Sequence, residues 1–206
     1  MSESKFIRLS GWALMLGAVA FSPFIVIVML ENTSLSLPEF QSALLENAIV
    51  IGFFWSPVLV ALGMLGLRAR YGNEIGASGK GVLLLGALAG LLVIVGNIGQ
   101  AYEPDPFWGV FIIGTTLIFI CMLIFGIQAL IQKPLPRMNW LPLFAGMWFP
   151  MMSLPGIFGI HFPAIGSTPN LVFSLFSTAG IIITTVALIL LGYTLQAYIM
   201  DEPEFV

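Results

Sequence analysis

The chain has 206 residues, of which 59% are hydrophobic and 8% charged, and its net charge is −3. A soluble domain carries about 25% charged residues, so this composition excludes a water-soluble globular protein and requires a bilayer as solvent. No basic patch interrupts the apolar runs, which excludes a nucleic-acid partner.

A membrane span needs about 20 apolar residues, because a helix rises about 1.5 Å per residue across a hydrocarbon core of about 30 Å. Six runs reach that length, over residues 9–30, 44–67, 81–101, 107–131, 140–161 and 170–199, and their interiors carry no Asp, Glu, Lys or Arg. The sequence therefore predicts an all-α integral membrane protein, residues 1–206 forming a single polytopic domain of six transmembrane helices.

The first run follows Lys5 and Arg8, and Ala18-Val19-Ala20 resembles a signal cleavage site. A signal peptide's apolar region is only about 7–15 residues long. This run continues to Leu30, so it reads as a retained first span. Between the first and second runs, Ser36 and Glu39 have the three-residue spacing of a capping box. A short outer helix is expected to start there, either lying on the membrane surface or running into span two.

Basic residues near span ends stay in the cytoplasm. Lys5 and Arg8 precede span one, Arg68, Arg70 and Lys80 lie in the second connection, and Lys133 and Arg137 lie in the fourth. The odd-numbered connections contain no Lys or Arg; they carry Glu31, Glu39, Glu46, Glu103, Asp105 and the single His161. Both termini are thus expected in the cytoplasm, with the protein in a prokaryotic plasma membrane. Trp12, Tyr71, Trp140 and Tyr198 fall near inner span ends, and Tyr102 and Trp108 near outer ones, as interfacial aromatics should.

Trp55 and Trp148 break that belt by lying inside spans two and five. Their surroundings match: Trp55-Ser56-Pro57 is followed by Gly63 and Gly66, and Trp148-Phe149-Pro150 by Gly156 and Gly159, at an offset of 93. Gly96, Gln100, Ala101 and Tyr102 recur as Gly192, Gln196, Ala197 and Tyr198 at an offset of 96, which also brings Trp12 onto Trp108. Three spans is an odd number, so a second copy must insert upside down. The pattern predicts two inverted three-helix repeats.

Matched Pro/Gly-interrupted spans in two halves point to a midplane binding site. The candidate substrate-binding residues are Trp55, Ser56, Pro57, Asn97, Gln100, Trp148, Pro150 and Ser153. The bland alternative is kinked helices and polar glue between them. Proline frees a carbonyl one turn back, and the Ser56 hydroxyl is the expected partner for the one freed by Pro57. Gly63, Gly66, Gly86, Gly90, Gly156 and Gly159 are the expected helix-packing positions. Gly86 and Gly90 form a GxxxG pair, which suits either packing within the monomer or a homodimer.

Ion-coupled carriers usually place ionisable groups within the membrane. None lies within these spans, unless Glu46 or Glu103 reaches inward from an end. The outer acids and His161 lack metal-ligand spacing, so no metal is expected. Cys121 is the only cysteine and forms no intramolecular disulfide. Ser153 and His161 lack a nucleophile elbow, and no phosphate-loop, dinucleotide, zinc or haem motif is present. The expectation is a non-enzyme without cofactors. Two readings follow: a small permease or channel-like protein for a neutral or apolar solute, or a non-catalytic subunit or scaffold binding another membrane protein in a larger complex.

Overall fold

The computed structural model describes residues 3–33, 39–136, 138–157 and 171–200. They form five helices: α1 (Glu3–Thr33), α2 (Glu39–Gly99), α3 (Pro104–Gln132), α4 (Leu141–Ile157) and α5 (Leu171–Met200). No strand occurs among the described residues. Four helices contain stretches long and apolar enough to cross a membrane, within α1, α2, α3 and α5; the apolar stretch Leu141–Leu154 of α4 is shorter. The exterior is as apolar as the core. Leu16, Leu62, Leu88, Leu91, Ile113 and Val186 are all exposed, an exposure that a soluble monomer does not tolerate over so wide a surface.

Six spans were expected and five helices are found, and the difference lies in α2. Its 61 residues would make a straight rod of about 90 Å, three times the hydrocarbon thickness. The rod is broken at Gly76, where φ is 71° and ψ −174°. Arms 39–75 and 77–99 then run back along each other. Asn97 Nδ2 donates to Phe54 O at 2.7 Å, a β-carbon at Gly90 would lie 2.7 Å from Ala61 Cβ, and one at Gly86 would meet the Met64 side chain. Residue numbers rise on one arm as they fall on the other, which is an antiparallel hairpin. The connection over 68–80 is helical up to the break rather than a loop. The start of α2 is also continuous: the helix begins at Glu39 and runs directly into span two, while Ser36 lies outside the described residues.

The break is held by its neighbours. A helix end leaves its last carbonyls unbonded, and the Gln132 side chain of α3 reaches two of them, Glu74 O at 3.2 Å and Ile75 O at 3.3 Å, with its amide nitrogen turned toward them. Lys80 Nζ donates to Asn73 Oδ1 across the turn at 2.7 Å. Arg70 and Glu74 pair at 3.9 Å along the first arm. Gly76 has open space around its α-carbon, so a side chain there meets no neighbour and only backbone strain. Gly76→Ala is expected to cost about 1–3 kcal/mol, the usual cost of a non-glycine residue in this region of φ/ψ. A thermal midpoint unchanged from the parent protein would contradict that geometry.

The helices α3, α4 and α5 complete a ring in chain order. Pro104 and Asp105 open α3 after Glu103, where a missing N–H costs nothing and a negative charge meets the helix dipole. Lys133 ends it in a left-handed conformation, its N–H bonded to Ala129 O at 2.9 Å. Asn139 closes the following turn on both backbone groups of Leu135, at 2.9 and 3.0 Å. Around the ring α1 packs on α2, α2 on α3, α3 on α4, α4 on α5, and α5 back on α1. Lipid supplies no hydrophobic drive between helices, so close van der Waals approach must hold them. The approach occurs at glycines. A β-carbon at Gly11 would sit 2.7 Å from Gly192 O, and one at Gly96 2.6 Å from Phe111 N; at Gly126 and Gly146 it would strike the backbone of Leu143 and Leu123.

Candidate functional site

The two tryptophans, expected as walls of one site between spans two and five, are not brought together. Trp55 is 45% exposed on the outside of the bundle, whereas Trp148 is 8% exposed and lies within it. Among the described residues, α2 and α4 share no backbone contact. Phe21 of α1 fills the space toward Trp148, with its ring stacked on Phe53 (centroids 5.9 Å apart) and meeting the Trp148 edge at 6.3 Å. Phe53, Phe54, Trp108 and Phe111 continue this aromatic packing between α2 and α3 at centroid distances of 5.2–6.4 Å.

Most of the expected polar contacts are engaged between helices. Ser56 is buried, and its hydroxyl donates to Gly17 O on α1 at 2.8 Å. It does not serve the carbonyl freed by the buried Pro57; the crossing of α1 and the first arm of α2 claims it instead. Asn97 ties the second arm to the first through Phe54 O. Ser153 donates to Phe149 O of its own helix at 2.9 Å and lies 2.9 Å from Thr116 Oγ1. A hydroxyl has one proton to give, so Thr116 is the donor between α3 and α4. Gln100 bonds only to Gly96 O of its own helix, at 3.3 Å. Removing one such interhelical bond costs about 0.6 kcal/mol and at most about 2. Ser56→Ala is therefore expected to lower stability by that modest amount, read as a small shift in a detergent-unfolding titration. A collapse of the fold would show that Ser56 does more than join two helices.

The packing glycines act inside the monomer. Gly63 faces Leu14 and Gly66 faces Ser10, both on α1, while Gly86 and Gly90 face the first arm of α2, and Gly86 also Cys121. Both glycines of the GxxxG pair are buried within the chain. Gly156 lies within α4, with its surroundings outside the description, and Gly159 and His161 lie outside the described residues. Glu103 is exposed and does not turn inward. No group of three metal-ligating side chains occurs among the described residues.

One region was not foreseen. The Trp148 indole lies against Gly180 of α5, so closely that a β-carbon there would overlap it. Among the described residues its Nε1 has no hydrogen-bond partner, and neither have Thr184 Oγ1, Thr115 Oγ1 or Asn97 Oδ1, all of them buried atoms. Pro150 is buried two residues beyond Trp148. Comparison with family models, curated proteins and solved structures finds no match to this chain. The α4–α5 contact differs from its neighbours: α1–α5, α2–α3 and α3–α4 meet backbone on backbone at glycine, whereas here an indole lies on Gly180. A side chain can change rotamer where two backbones cannot part.

Proposed function

We propose that the protein is a small permease for a neutral solute, with its path along the α4–α5 seam rather than between spans two and five. The observation that carries this is the Trp148 side chain closing the seam over Gly180. α4 is a short helix containing Pro142, Pro150 and Pro155, and prolines leave backbone groups that a solute or a shifting neighbour can use. In this reading α1, α2 and α3 form the fixed frame. Trp148 is the gate, Pro150 the adjacent hinge, and Ser153 with Thr116 the latch to the frame.

The same reading takes the two arms of α2 as separate crossings. The chain then spans six times, all basic residues stay on one side, and both termini lie in the cytoplasm of a prokaryotic cell. Two inverted halves, α1 with both α2 arms and α3 through α5, are supported by one pair of contacts. A β-carbon at Gly96 would meet Phe111 N, and one at Gly192 would meet Met15 N at 3.2 Å; each residue of the first pair lies 96 positions from its counterpart. At that offset Trp12 and Trp108 correspond and are both exposed. Trp55 then corresponds to Met151, also exposed, and Trp148 to Gly52, also buried. The tryptophans themselves are not equivalent.

A second reading has its own observation. Ser56, Asn97, Thr116 and Ser153 are all engaged in helix contacts, which suits a static subunit or scaffold in a larger membrane complex. Osmotic re-swelling of proteoliposomes separates the two. The permease reading expects faster re-swelling than protein-free vesicles with urea or glycerol as solute. Equal rates, together with co-purification of a larger complex from native membranes, would leave the scaffold.

A further inference from the structure

Two buried polar groups on adjoining helices, α4 and α5, have unused hydrogen-bonding capacity among the described residues. Trp148 Nε1–H is a donor with no acceptor function, it is buried, and none of the described residues accepts from it. Its ring lies on Gly180, and Thr184 stands one helical turn further along the same face of α5. Thr184 is 1% exposed and its hydroxyl is also without a partner. Helical hydroxyls usually bond back to a carbonyl of the preceding turn, as Thr194 does to Leu191 O and Ser153 to Phe149 O in this protein. Thr184 forgoes even that bond. In lipid there is no bulk water to repair either omission.

We infer that Trp148 and Thr184 form a binding site for one carbonyl-type oxygen of a neutral molecule, a ketone, ester or amide, and that this oxygen accepts from both the indole N–H and the threonine hydroxyl. A carbonyl oxygen has two lone pairs and can take both donors. The walls are apolar rings: Phe21 meets the indole edge at 6.3 Å and Phe149 at 6.1 Å. The described Lys and Arg residues lie at the start of α1, around the Gly76 break and at the end of α3, and the described acids lie at helix ends and that same break. None of these described charges lies beside the pair to balance an ion, so the ligand proposed is uncharged. The inference rests on the permease reading for access along the seam, and specifies the chemistry of what enters.

The test uses the full chain in detergent with Trp12, Trp55, Trp108 and Trp140 replaced by Phe, all of them exposed positions, so that Trp148 alone emits. Cyclohexanone supplies the acceptor oxygen, and methylcyclohexane is a probe of similar size without it. The expected result is a saturable red shift with cyclohexanone, none with methylcyclohexane, and at least fivefold weaker ketone binding after Thr184→Val. Equal responses to the two probes, or no response from protein with its helical circular dichroism intact, would overturn the site. If the four-fold replacement does not fold, calorimetric titration of cyclohexanone into the parent protein and into Thr184→Val reads the same difference, and equal affinities overturn it. Ketone binding without urea or glycerol re-swelling would retain this site and remove the permease. Re-swelling without discrimination between the probes would do the reverse.

Discussion

Gly146→Ala is expected to destabilise the protein by roughly 3 kcal/mol, at the upper end of the usual cost of overpacking, and Gly146→Leu to yield no folded protein. A β-carbon at Gly146 would strike Leu123 N and lie 2.7 Å from Phe119 O, and one at Gly126 would strike the Leu143 backbone. The two glycines bracket the crossing of α3 and α4 from both sides. A flexible side chain could turn away from the new methyl group, but backbone cannot unless the helices separate. Separation would also strain the Thr116–Ser153 bond. The check is the detergent-unfolding midpoint of the alanine variant, compared with alanine at the exposed, open Gly109. Similar midpoints for Gly146→Ala and Gly109→Ala would mean that α3 and α4 do not meet this closely.

Gly180→Ala has the opposite signature. Its new methyl group meets the Trp148 indole, a side chain, so the fold can adapt by moving that ring. The expected result is a thermal midpoint close to that of the parent, with at least about a tenfold loss of solute-driven re-swelling, equivalent to about 1.4 kcal/mol. An unchanged rate would remove Trp148 from the path. Loss of the fold itself would instead make the contact structural, like that at Gly146.

That the chain is helical and apolar enough to span a membrane was legible, because a bilayer sets the length of such stretches and charge interrupts them; the count of six was not matched, since five helices are found. Lys5, Arg8, Arg68, Arg70, Lys80 and Lys133 mark the same ends in the sequence and in the hairpin order of the helices. The turn between spans two and three was only half legible. Helix persists through Gly72 and Gly79, and among the described glycines only Gly76 adopts positive φ. What distinguishes it is partly tertiary: Gln132 reaches the Glu74 and Ile75 carbonyls just before it, and Lys80 bridges the turn to the Asn73 side chain.

The faces of the helices were not legible. In a soluble bundle, polar residues mark the outside. Here the outside is lipid-facing and as apolar as the core, so Trp55 and Trp148 read alike although one faces out and the other in. The same blindness hid Gly126, Gly146 and Gly180 among 22 glycines, because close approach depends on the partner helix. The partner of Ser56 was misread for a related reason. Pro57 beside it offered a local acceptor, and the carbonyl that the hydroxyl uses, Gly17 O, lies 39 positions away in sequence.

The most direct test of the account is thiol accessibility at position 184. Cys121 is replaced by Ser, Thr184 by Cys, and membrane-impermeant thiol reagents are applied to native membranes from each side in turn, with Ser56→Cys in the same background as the packed control. The account predicts labelling at position 184 from both sides and none at position 56, because the seam of α4 and α5 opens while the α1–α2 crossing stays closed. Folded protein that resists labelling at position 184 from either side would contradict a path along that seam and leave a static membrane component.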